Sequence, residues 1–103
     1  IRQWQTVENN SLKQQLEQYI QEQEIDLNGF PNWQKMAQEH WEEFLPKMYH
    51  EYQQAGILKY QLAIAAEMTF REMDALELSG MRPHEAWEMV REKHLLLLPE
   101  QQM

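Results

Sequence analysis

The stretch Trp41–Met68, WEEFLPKMYHEYQQAGILKYQLAIAAEM, decides the fold. It holds a proline in the middle of an apolar pattern that ignores it. Trp33, Met36, Ala37, Trp41, Phe44, Leu45, Met48, Tyr49, Tyr52 and Ala55 recur at three and four, the spacing of one helix face. Pro46 sits inside that run. A proline within a helix removes one backbone donor and clashes with the preceding turn, at a cost of about 3 kcal/mol. Two solutions are open: one helix kinked at Pro46, or a new helix opened by Pro46 in nearly the same direction. The unbroken phase favours the kink over a reversal. Gly56 then closes the segment as a left-handed cap. Beyond it, Ile57, Leu58, Tyr60, Leu62, Ala63, Ile64, Ala65, Ala66 and Met68 leave little polar surface, which marks a central helix. That helix extends from about Ile57 to Ser79.

Punctuation sets the remaining boundaries. Gly80 followed by Pro83 is a stop and a start, because proline at the first position of a helix lacks a donor that would have no partner anyway. A last helix follows, with Ala86, Trp87, Val90 and Leu97 on its buried side. Upstream, Asn28-Gly29 signals a turn, and Asn32 is the expected cap of the second helix. A first helix is expected from Asn10 or Ser11, where Ser11-Leu12-Lys13-Gln14 resembles a capping box. Its stripe of Leu12, Leu16, Tyr19 and Ile20 is narrow, as on the outside of a bundle. No segment alternates as a strand would. The expectation is a single all-α domain over 1–103: a small bundle of about four helices, the second kinked or broken at Pro46, with residues 1–10 as a loose arm.

Composition excludes several classes of function. The chain of 103 residues has no cysteine, so disulfides, thiolate zinc sites and cysteine nucleophiles are out. Its formal charge is -8, with an isoelectric point near 4.9. Nucleic-acid backbones are held by clustered Lys and Arg. The nine basic residues here are scattered singly, and direct nucleic-acid binding is not expected. No apolar run reaches the ~20 residues of a membrane span. A cytoplasmic protein is expected.

Chemistry-bearing patterns are sparse. His40, His50, His84 and His94 stand at spacings that fit no helical metal motif. Glu42/Glu43, Glu72/Asp74 and Glu85/Glu88 read as solvated helix faces rather than acid–base pairs. Ser11 and Ser79 lie at expected helix ends, as caps. Three glycines cannot build a phosphate loop. No catalytic residue, metal ligand or cofactor site is expected. The aromatic residues Trp33, Trp41, Phe44, Tyr49, Tyr52 and Tyr60 lie among carboxylates, which favours core packing over base stacking.

One resemblance bears on function. Trp41–Leu76, WEEFLPKMYHEYQQAGILKYQLAIAAEMTFREMDAL, is similar to the middle of the small TnpV-like proteins of bacterial transposons and conjugative elements. The shared pattern falls on Leu45, Tyr49, Tyr52, Gly56, Leu58, Leu62, Ala65 and Ala66, about a third of the chain being covered. The resemblance implies an accessory protein of a bacterial mobile element. An excisionase-like role would require a basic surface, which this composition does not supply. The expected function is that of a non-enzymatic interaction or regulatory protein. The alternative is an acidic mimic that inhibits a nucleic-acid-handling protein, with its carboxylates gathered on one face. The run Leu95–Leu98 points around most of a helix, so at least one leucine needs a cover. Trp87, Leu95, Leu96, Leu97 and Leu98 are therefore expected to form either the last core layer, which at least part of the run should close, or a partner or homodimer contact.

Overall fold

Pro46 breaks the helix. In the computed structural model, which describes residues 2–100 and side chains from Leu12 onward, the long stripe divides into two helices. The elements are α1 (Arg2–Glu22), α2 (Pro31–Phe44), α3 (Pro46–Ala55), α4 (Leu58–Leu78) and α5 (Pro83–His94), with no strand among the described residues. The cause is the residue before the proline. Clash with the proline ring pushes that residue out of the helical region, and Leu45 has φ −131° and ψ 54°. The Leu45 N–H still closes the last turn of α2 on Trp41 O, at 2.8 Å, and Leu45 O accepts from the Tyr49 N–H, at 2.9 Å, to start α3. Leu45 itself is buried. The apolar phase therefore survives a break in direction.

The expectation of nearly one direction does not hold. Residues eleven apart in a straight helix are separated by about 16 Å along the axis. Yet the Trp41 and Tyr52 rings meet edge to face at 6.2 Å, and Gln38 Nε2 lies 3.3 Å from Tyr49 Oη. The two helices meet at a corner closed on its inner side. Three helices, α2, α3 and α5, begin with proline at the first turn, the position where its missing donor costs least.

α4 is the central helix, and all four others pack on it. Leu62, Ala63, Ala65, Ala66 and Thr69 are its buried residues, the alanines allowing close approach of neighbours. The Thr69 hydroxyl is satisfied by donating to Ala65 O, at 2.8 Å. One core cluster joins Ala37, Trp41, Leu45, Tyr49, Leu62, Ala65 and Leu95. A smaller one joins Ile20 and Ile25 to Ala63.

Three helix ends close in the same way. In the Schellman arrangement a left-handed residue lets two successive N–H groups reach back to orphan carbonyls. Gly56 (φ 71°) and Gly80 (φ 108°) serve α3 and α4, with Ile57 donating to Tyr52 O and Met81 to Leu76 O, both at 3.0 Å. α1 uses Glu24 (φ 55°) instead. The Ile25 N–H donates to Ile20 O at 2.9 Å, which brings the two buried isoleucines together.

α1 begins at Arg2, earlier than the Asn10 or Ser11 start read from the capping pattern, so residues 2–10 belong to a helix rather than to a loose arm. Gln, Glu, Lys and Leu are good helix formers, and a serine inside costs only a few tenths of a kcal/mol. Ile1 and the side chains up to Ser11, including the expected cap, lie outside the described residues. From Leu12 on, Ile20 is the one buried side chain of α1. Arg71 ties its end down, donating to Gln23 O at 2.6 Å and to Gln23 Oε1 at 2.8 Å.

A non-glycine residue in the left-handed region costs about 1 kcal/mol or more. Replacing Glu24 by glycine is expected to stabilise the protein by about 0.5–1 kcal/mol in urea unfolding. A destabilised Glu24→Gly variant would show that the glutamate side chain contributes something beyond this turn.

Candidate functional site

Four aromatic rings form a row across three helices. Phe70 of α4 stacks on Phe30 at 5.1 Å, with 25° between planes. Phe30 stacks on Trp33 of α2 at 5.1 Å and 21°, and Trp33 on Trp87 of α5 at 5.8 Å and 18°. The rings lie near parallel, so their faces are largely used on one another. Edges and the two end faces remain for other contacts. Phe70 is 43% exposed, while Phe30, Trp33 and Trp87 are half-buried.

The loop that delivers Phe30 is pinned. The Asn28 N–H donates to Asp26 Oδ1 at 2.9 Å, and the Gly29 N–H to Asp26 O at 3.0 Å. This is the turn expected at Asn28-Gly29. The Gln34 amide reaches back to Leu27 O and Gly29 O, at 3.0 and 2.8 Å. Phe30 itself has φ 51° and ψ 59°, a region a bulky side chain occupies at a cost of about 1–2 kcal/mol. Pro31 excludes the ordinary helical conformation for Phe30, and the rings on either side hold the one adopted. Backbone strain of this kind concentrates at sites of recognition.

The leucine run divides its roles. Leu95 is fully buried in the main cluster, so it is core and not a partner contact. Leu96 and Leu97 are half-buried against the same cluster. Leu98 is 80% exposed. The chain leaves α5 and runs along α2 in the same direction. Trp41 Nε1 donates to Leu95 O at 2.9 Å, His40 Nε2 lies 2.7 Å from Leu97 O, and the Glu100 N–H donates to Phe44 O at 3.0 Å. Glu100 then accepts the Lys47 and Met48 N–H groups, at 3.1 and 2.9 Å. Trp87, the other candidate contact, lies in the aromatic row.

Phe30 and Phe70 were not among the candidates. Phe70 falls on the outer side of the amphipathic half of α4, where one aromatic carries no periodic signal, and Phe30 lies in a loop. Phe44 and Met36, expected in the buried stripe, are 40% and 36% exposed. The stripe divides between α2 and α3 at Leu45, and the corner between them leaves these two side chains outside.

Charged groups interleave around α4. Arg71 pairs with Glu67 at 2.8 Å, and Glu72 receives Lys93 at 3.4 Å and His94 at 3.0 Å. The hydrogen bond from His94 holds the Glu72 carboxyl below the usual glutamate value of 4.5; partial burial opposes this, and the charges of His94 and Lys93 assist it. Burial raises the Tyr52 phenol, with the nearby Glu51 charge adding to it. No helix of the described residues is long and apolar enough to cross a membrane. The sequence matches no family model, no curated protein and no solved structure.

A carboxylate held low on folding stabilises the protein above its unfolded value and loses that contribution as pH falls through its folded value. The stability advantage of the wild type over Glu72→Gln is therefore expected to be full above about pH 4.5 and to shrink on further acidification. Urea midpoints between pH 6 and 3 measure it. A difference independent of pH would remove the His94–Glu72 pair from the account.

Proposed function

We propose that the protein is a non-enzymatic interaction module whose contact surface is the aromatic row from Phe70 to Trp87. The observation that carries this reading is the placing of a half-exposed Phe70 and a strained Phe30 in one stack with two tryptophans. Aromatic residues and methionine are enriched in the cores of protein interfaces, and Met36, one turn from Trp33 on α2, is 36% exposed. The similarity of Trp41–Leu76 to TnpV-like proteins supports a setting on a bacterial mobile element, within the cytoplasm. The mimic reading finds less support. Phosphate mimicry calls for carboxylates gathered on one face clear of cations, whereas Arg71, Lys93 and His94 lie among those of α4.

The test is photo-crosslinking in the native host, with a photoreactive phenylalanine analogue in place of Phe70 or of Leu98. A discrete adduct is expected at position 70 and not at 98, and Trp87→Ala is expected to weaken it. Equal adducts at both positions, or none at 70, would contradict the reading.

A further inference from the structure

We propose that the partner held by the aromatic row is a basic amphipathic helix, an inference that rests on the interaction reading above. Two observations identify this occupant. The first is spacing. Successive rings lie 5.1, 5.1 and 5.8 Å apart, close to the ~5.4 Å rise of one helical turn. A helix laid along the row brings one apolar side chain per turn to each ring edge, which is the pattern of residues at i, i+4, i+7 and i+11. A β-strand, with same-face side chains ~7 Å apart, falls out of step after two rings.

The second is charge. On α4, Asp74 and Glu77 follow Phe70 at four and seven residues, on the same face, and both are exposed. Among the described residues no cation pairs with either, whereas Glu67 and Glu72 of the same helix are paired. The whole chain carries -8. At the Phe70 end of the row a partner with Lys or Arg beside its apolar stripe gains and is steered toward it, while Arg91, one turn from Trp87 on α5, places a positive group at the other end. A second copy of the chain would bring a like charge of -8 instead. Met36, exposed and one turn from Trp33 on α2, adds a flexible thioether that adapts to differing apolar faces.

The experiment is isothermal titration of the full chain with three synthetic peptides of equal length. These are a leucine/lysine amphipathic helix, its leucine/glutamate twin, and a leucine/lysine sequence scrambled to remove the apolar face. Sedimentation of the protein alone is run in parallel. The first peptide is expected to bind one to one and the other two at least tenfold more weakly. Phe70→Asp, and Asp74→Lys combined with Glu77→Lys, are each expected to lower the affinity for the first at least tenfold, with helical content by circular dichroism unchanged. Equal binding of the glutamate twin, or retained affinity in both variants, would overturn the proposal. A wild-type dimer that Phe70→Asp makes monomeric would overturn it in favour of a second copy while leaving the interaction reading intact. Absence of peptide binding together with a crosslink at position 70 would overturn this inference alone. Absence of both would overturn the two together.

Discussion

The Glu100 carboxylate, accepting the N–H groups of Lys47 and Met48, is the contact on which the corner of this fold depends. Pro46 forces Leu45 out of the helical region and so creates a helix start in the middle of an apolar stripe. That start needs acceptors for its free donors. Leu45 has no side-chain acceptor to offer. The acceptor comes instead from more than fifty residues away, at the end of the chain, and it carries the charge that suits a helix N-terminus. It arrives there because Leu95 is anchored in the core and the Trp41 indole holds its carbonyl. With the tail in place, α3 turns back so that Tyr52 meets Trp41.

α2 consequently does different work at its two ends. Its C-terminal half, through His40, Trp41 and Phe44, receives the tail. Its first turn presents Trp33 between Phe30 and Trp87. The strained Phe30 and exposed Phe70 weaken the N-terminal end slightly. The buried hydrogen bond and the apolar cluster at Trp41 and Leu95 hold the other end.

Local signals were legible in the sequence, and long-range ones were not. Gly56, Gly80 and Pro83 mark the boundaries where they were expected, because a left-handed cap and a first-turn proline are decided within a few residues. The all-α class and the central helix rich in Ala63, Ala65 and Ala66 followed from periodicity. The corner was misjudged because phase and direction are separate quantities. A single residue outside the helical region can keep the first while changing the second. The proline rule acting on Leu45 was the stronger signal. The Ser11 cap misled in the opposite sense, since a polar residue compatible with a helix start is also tolerated inside one. The leucine run could be read only as partly buried; which leucine goes inside depends on Trp41, far away in sequence. The aromatic row joins a loop and three helices and has no local signature. Trp87 pointed to it, but Phe30 and Phe70 could not be recognised before the helices were packed.

The most direct measurement of the central claim is amide hydrogen exchange on the wild type and on Glu100→Ala, with urea unfolding of both. Loss of a helix N-terminal cap is typically worth about 1 kcal/mol, and a decrease of about 1–2 kcal/mol in stability is expected here. Protection of the Lys47 and Met48 amides should fall by more than that of amides within α4. If those two amides exchange in the variant as they do in the wild type, the tail does not cap α3, and the corner at Pro46 must be held by packing alone.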